Sequence, residues 1–320
     1  MKRTLKFIAA ATLVCAMSAA CGELDPDNGN GGNGNGENDE QEKPTPDPDA
    51  KLVKAIAVTG EYDFKNTFTF TYDDQNRITK IAGKDTYYGD VAPNPGQPDE
   101  NQGNNEEKIV DLEITFEYTD HAVSYQIRSY DNGKEIESEK VRGDIKLNDK
   151  GYATSGSWQE YDEHPQDLYT YTLEYDANNC LVRSDGDEGG ESIIKWANGN
   201  IEGVKWIFED NSDKLDDTAT YGQVKNQSNL DLNWTVLSSE GFDFAPGDPY
   251  KLFAVLGFCG TRTANLPDKT IISYPGSETK YDNTHIYELD ADGDVTKIIS
   301  TFDASSDDPT KIAYEIFYTK

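Results

Sequence analysis

The sequence predicts an all-β protein: a single antiparallel meander forming a curved sheet or soluble barrel-like domain, with one or two short helices. Three observations carry this reading. Apolar residues recur at every second position in segment after segment, the period of a strand with one buried and one wet face. The segments are separated by a turn frame that repeats the same residue types. The apolar runs are also short and broken by charge, whereas a buried parallel sheet shows continuous aliphatic stretches.

Composition sets the outer bounds. The 320 residues carry 29 Lys and Arg against 60 Asp and Glu, a net charge of −31, with a pI near 4.3 and a mean hydropathy of −0.76. Phosphate binding needs clustered cations, so nucleic acid is not an expected partner. Nineteen Tyr, 12 Phe and 4 Trp still supply ample material for a core.

Residues 1–20 read as a secretory signal. Lys2, Arg3 and Lys6 precede an apolar run from Phe7 to Ala20, too short for a stable membrane span. Ser18, Ala19 and Ala20 lead into Cys21 as a bacterial lipobox does, so Cys21 is expected to be lipidated and to begin the mature chain. Acyl chains contribute about 0.8 kcal/mol per buried methylene, and two or three together anchor stably. Residues 21–50 then form a tether. From Gly22 to Ala50 there are nine acidic residues, one Lys, six Gly, five Asn and four Pro, with Leu24 the only large apolar side chain. Such a segment cannot offset its ordering entropy and is expected to be disordered. Glu23, Asp25 and Asp27, close behind Cys21, resemble the export signal of Bacteroidetes lipoproteins displayed on the outer face of the outer membrane.

Residues 51–320 are expected to be one β domain. Phe68, Phe70 and Tyr72 alternate with threonines. Leu112, Ile114, Phe116 and Tyr118 alternate with Asp111, Glu113, Thr115 and Glu117. Tyr169, Tyr171, Leu173 and Tyr175 repeat the pattern, as do Ile312, Tyr314, Ile316 and Tyr318. Between such segments the frame Tyr72-Asp73-Asp74-Gln75-Asn76-Arg77-Ile78 recurs at 147–153, 175–181 and 289–295. Each copy opens its turn with Asp or Asn and ends it with Asn or Gly, the residues that best tolerate positive φ. Asn132-Gly133 and Asn198-Gly199 signal tighter hairpins. Residues 91–107, rich in Pro, Gly, Asn and acid, are expected to be a disordered loop insertion. Asn229–Ser238 and Asp248–Phe258 carry helix signals, with Asp248 as cap and Pro249 at the first helical position. Leu252, Phe253, Val255 and Leu256 surround the second helix, so it should be buried, plugging the mouth or flank of the curved sheet. Trp206 shares strand parity with Val204 and Phe208 and reads as core.

The strand–turn repeat, the segment Lys195-Trp196-Ala197-Asn198-Gly199-Asn200-Ile201 and the stretch Asn229-Leu230-Asp231-Leu232-Asn233 together resemble the uncharacterised Bacteroidetes lipoprotein family known as a domain of unknown function with a porin-like fold. The resemblance covers roughly residues 51–320 and implies a curved, largely antiparallel sheet in a lipid-anchored envelope protein. It brings no catalytic residues. Alternation alone does not separate lipid-facing from core-facing side chains. Several segments fall short of the roughly 9–11 residues of a transmembrane strand, which favours a soluble barrel.

Little in the sequence points to catalysis. His121, His164 and His285 have no paired spacing, so neither a metal centre nor a His-dependent nucleophile is expected, and no cofactor motif is present. Asp290-Ala291-Asp292-Gly293-Asp294 looks like a calcium loop, but an EF-hand requires Gly at the sixth position and Glu at the twelfth, where this chain has Val295 and Thr301. Its place in the turn repeat favours a structural role. Cys180 and Cys259 read as unpaired, partly buried thiols. Trp158 and Tyr161 lie in the polar stretch 156–166, expected to run between strands, and are the candidate ligand-binding residues, placed to stack on a sugar ring or a partner. Core or edge packing is the alternative for both. The functional expectation is an outer-membrane, surface-exposed lipoprotein with a non-catalytic binding or structural role, its partner a carbohydrate or an envelope protein. A glycan hydrolase using paired carboxylates is the alternative.

Overall fold

A computed structural model describes residues 51–60, 65–89, 106–137, 140–160, 168–186, 190–207, 214–233, 252–254, 256–273, 280–306 and 309–319. Among them seventeen strands follow in sequence. The first group is β1 (Val53–Thr59), β2 (Lys65–Tyr72), β3 (Ile78–Gly89), β4 (Glu106–Tyr118), β5 (Ala122–Asp131) and the two-residue β6 (Lys134–Glu135). Next come β7 (Val141–Leu147), β8 (Ala153–Glu160), β9 (Leu168–Tyr175), β10 (Leu181–Gly186), β11 (Gly190–Ala197) and β12 (Asn200–Ile207). The last five are β13 (Lys214–Lys225), β14 (Asn265–Ser273), β15 (Lys280–Leu289), β16 (Val295–Phe302) and β17 (Thr310–Tyr318). Each pairs antiparallel with its neighbour in sequence, β5 reaching past the spur β6 to β7. β17 then pairs with β1, so the ladder returns to its start. The meander is therefore a barrel and not an open curved sheet. The 91–107 loop prediction ran two residues too far: Glu106 and Glu107 already pair with Gly89 and Tyr88. Residues 91–105 lie outside the described residues.

The period of two places the core inside. On β2, Asn66, Phe68 and Phe70 are buried while Lys65, Thr67, Thr69 and Thr71 are exposed. On β5 and β7 the same alternation buries Val123, Tyr125, Ile127, Val141 and Ile145. The outward positions carry polar cross-strand pairs instead: Lys80 with Glu113, Lys84 with Asp111 (2.5 Å), Ser124 with Asp144 (2.6 Å) and Lys269 with Asp282 (2.8 Å). Such exposed pairs contribute little stability individually, but they show which face meets water. Ile109, Leu168, Ile193, Tyr281, Ile286, Leu289 and Phe317 are exposed exceptions among the described residues, and Ile286 and Phe317 lie beside the outward Lys297–Glu315 pair.

Two local devices explain the repeated turn frame. In all four copies the first turn residue accepts two backbone N–H bonds through one side-chain oxygen. Asp73 Oδ1 takes those of Gln75 and Arg77, and Asn148 Oδ1 those of Lys150 and Tyr152. Asp176 and Asp290 do the same for residues two and four further on. The last turn position has positive φ in each: Asn76 58°, Gly151 82°, Asn179 62° and Gly293 88°. At the same end of the barrel, aromatic side chains bond the backbone of the preceding wall strand. Tyr72 donates to Val53 O, Tyr118 to Ile78 O, Tyr175 to Ala153 O, Tyr287 to Pro267 O and Tyr318 to Val295 O, at 2.6–3.0 Å. Trp196 Nε1 reaches Leu181 O in the same way. A buried phenol needs such a partner, so the tyrosines both pack and lace the ring.

The connection from β13 to β14 fills the interior. Leu230, Leu232, Leu252, Phe253 and Ala254 are at most 2% exposed, with Leu252–Ala254 helical. Of the expected helices 229–238 and 248–258, Leu232 and Asn233 are also helical, 229–231 and 256–258 are bends, turns or irregular chain, and 234–238, 248–251 and Val255 lie outside the described residues. Phe253 meets Tyr125 edge-on (5.8 Å between centroids) and Tyr171 at 5.3 Å. Gly143 and Gly156 make room for these rings: a Cβ on either would lie 2.3 Å or less from a tyrosine oxygen. The segment is bonded to the barrel's turns by Ala153 N to Phe258 O, Thr261 N to Asn179 O and Ala264 N to Gly199 O, each 2.8 Å. Asn229 Oδ1 accepts from Val53 N at 2.7 Å and its Nδ2 donates to Tyr72 Oη at 3.0 Å.

Candidate ligand-binding cleft

Where this plug meets the β2–β3, β4–β5 and β7–β8 turns, it leaves a cleft of about 270 Å³. Its apolar lining includes Ile78, Leu230, Leu256 and Phe258, and its polar lining includes Arg77 and Asp120. The turn frame builds the polar wall. Asp73, with Oδ1 committed to the turn, turns Oδ2 to Arg77 Nε (2.8 Å) and Nη2 (2.7 Å). Arg77 thereby lies over the Tyr118 ring at 4.5 Å, a cation–π contact. Burial raises the Asp73 pKa, but the Arg77 bond and the two backbone N–H groups outweigh it and hold the carboxyl below its usual value. Burial pushes the Tyr72 phenol up to about 12 and Tyr118 upward as well, so both stay neutral donors. The arrangement suits contact with an uncharged ring or short apolar group and a few polar contacts at the rim. Among the described residues it holds no nucleophile–base pair.

The residues singled out from sequence lie elsewhere. Trp158 is inside β8, only 5% exposed, and stacks on Tyr169 at 4.3 Å. The expectation of an exposed aromatic between strands is thus corrected. A register shift between Lys146 and Leu147 resets the alternation, so Gly156 and Trp158 face inward. Tyr161 and Cys21 lie outside the described residues, as do His164 and the side chain of Trp206. Arg77, Tyr118 and Asn229 were not foreseen as site residues; the signal was the turn frame itself, which places the residue after positive-φ Asn76 at the mouth.

Other chemistry-bearing groups are accounted for by structure. Cys180 and Cys259 are buried and unbridged, and burial raises both thiols, which keeps them unreactive. His285 Nδ1 lies 3.0 Å from Ser300 Oγ, but both residues are within the wall, 4% and 0% exposed. Carboxylate oxygens of Asp290, Asp292 and Asp294 lie within 4.8 Å of one another, and the Lys51 ammonium reaches all three.

Comparison with known proteins locates the fold. The model of a family described as "domain of unknown function (DUF4595) with porin-like fold" matches residues 97–315. A crystal structure of a porin-like protein from Bacteroides uniformis ATCC 8492 is 19% identical, covering 83% of this chain and 98% of its own, with a TM-score of 0.59. A porin-like protein from Bacteroides vulgatus ATCC 8482 is 13% identical, covering 84% and 99%, with a TM-score of 0.52. No curated protein matches the chain.

Proposed function

The chain belongs to the family of domains of unknown function (DUF4595) with a porin-like fold, and we propose that it is a lipid-anchored outer-membrane protein, displayed at the cell surface, with a non-catalytic binding role. The observation that supports this is the inversion of its wall. Transmembrane barrels turn apolar residues to lipid and polar residues to the lumen; here the outward positions carry Lys–Glu, Lys–Asp and Ser–Asp pairs, and the lumen is filled by hydrocarbon and the plug. The barrel is a sealed body that needs an anchor to stay at a membrane, and Cys21 supplies one.

The ligand is one glycan unit or a similar small ring, held in the cleft at the turn end. A hydrolase is less well supported there, since glycoside cleavage needs two carboxyl groups about 5–9.5 Å apart and, among the described residues, Asp120 is the only acidic one lining the cleft. Two experiments test the reading. Metabolic labelling with palmitate should mark the mature chain and not a Cys21→Ser variant, and protease added to intact cells should remove it. A glycan array followed by calorimetry should yield a ligand whose affinity falls at least tenfold, a loss of about 1.4 kcal/mol, in Asp120→Arg. Equal binding by that variant removes the cleft from the proposal, and no binding above background removes the glycan.

A further inference from the structure

We infer that the acidic turn Asp290–Asp294 is a clasp that grips the Lys51 ammonium and fastens the start of β1 to the seam where the barrel closes. Every other pair of wall neighbours follows in chain order, with the spur β6 between β5 and β7 and the plug between β13 and β14. The β1–β17 seam alone is closed by residues from opposite ends of the domain, as in the bond from Leu52 N to Thr319 Oγ1, 267 residues apart. Closing so long a loop carries an entropic cost, and this seam is also where the chain from Cys21 enters the fold.

The contacts concentrate at that point. Thr319 N returns a 2.7 Å bond to Leu52 O, and Val53 N is held by Asn229. Lys51 Nζ lies 2.5 Å from Asp290 Oδ2, 2.7 Å from Asp294 Oδ2 and 3.4 Å from Asp292 Oδ2, and 5.1 Å from the centre of the Tyr318 ring. The turn orients its carboxylates for this. Asp290 spends Oδ1 on the N–H groups of Asp292 and Asp294, which leaves Oδ2 for the ammonium. The Asp73 turn divides its oxygens in the same way, with Arg77 as the cation. Three carboxylates this close repel one another when all are ionised, and Lys51 relieves the repulsion. The bond to Asp290 in turn raises the Lys51 pKa, and the Lys51 bond lowers that of Asp290, so the Lys51–Asp290 pair stays charged across the neutral range.

The feature that resembles a calcium loop in sequence therefore contains a cation from its own chain. The clasp stands independently of the anchored reading; its consequence, that a pull on the tether is borne by this turn and the plug before β1 can peel, rests on that reading. Hydrogen exchange on the full mature chain tests it. Lys51→Met should exchange residues 51–59 and 310–319 about tenfold faster, the scale of a small charge network, with β4 and β5 unchanged and Lys51→Arg close to the parent. In the parent, 1 M sodium chloride should move the seam in the same direction. Unchanged seam exchange in Lys51→Met, or equal acceleration in every strand, would each overturn the clasp. Palmitate labelling reports separately on the anchor.

Discussion

Strands β2 to β8 line the interior mostly with side chains that require only contact, Asn66 and Ser129 being buried polar exceptions, whereas β11 to β16 line it with more groups that also require partners. The first half buries Phe68, Phe70, Ile81, Leu112, Ile114, Phe116, Tyr125 and Ile145. The second buries Ser192, Asp217, Thr270, Asn283, His285 and Ser300 among its hydrocarbon. Several of these act as staples: Asp217 Oδ1 accepts from Ser273 N at 3.2 Å, and Asn283 Oδ1 from Asp303 N at 3.0 Å. The difference shows that one barrel is held in two ways. Packing dominates in the first wall, so it should be sensitive chiefly to volume; hydrogen bonding to buried groups, His285 among them, does more to hold the second, so it should also be sensitive to protonation.

The largest expected effect comes from the packed half. Ile114→Ala should lower unfolding stability by about 2–5 kcal/mol, measured by urea denaturation, with the same loss at pH 7.5 and pH 5. A loss confined to acid pH would break the comparison. Next comes His285 in the other half, whose pKa burial lowers from 6.5 to about 4. Its unfolded form binds the proton more readily, so its contribution is intact above pH 6.5 and is lost as pH falls toward 4, by roughly 3 kcal/mol in total. His285→Leu should flatten that part of the stability–pH curve, while an unaltered slope would assign the acid sensitivity elsewhere. Gly143→Ala should cost about 1–3 kcal/mol through overpacking, because its Cβ would meet Tyr125 and the Ser157 carbonyl.

Smaller effects belong to the turns and the outer face. Asn76→Ala should cost about 1 kcal/mol for a left-handed residue, and Asn76→Gly nearly nothing, by thermal melting. Glu113→Gln, on the outward side of β4 next to Ile114, should change stability by no more than about 0.5 kcal/mol. The contrast between neighbours 113 and 114 measures directly which face is the inside.

The strands and turns were legible because they are written locally. Period two in β4, β9 and β17 marks the inward face, and Asn76, Gly151, Asn179 and Gly293 mark the left-handed turn positions one residue at a time. What escaped was non-local or irregular. Trp158 is turned inward by a register shift that no alternation rule anticipates. Closure of β17 on β1 joins the two ends of the domain, which short-range pattern cannot show. The cleft is assembled from three turns and the plug, so Arg77 and Asn229 meet there without any shared motif. Lys51 sits at the end of an acidic, Gly- and Pro-rich stretch, where it reads as one more solvated charge until Asp290 and Asp294 are placed around it.

If the barrel keeps its apolar surface inside, as proposed, a lipid on Cys21 is what would hold it to a membrane. The decisive measurement is flotation of the full mature chain carrying Cys21→Ser with lipid vesicles in detergent-free buffer, with circular dichroism to confirm the β fold and a planar-bilayer recording alongside. The account predicts a folded protein that stays in the soluble fraction and opens no conductance. A folded chain that floats with the vesicles, or that opens steady channels, would contradict it.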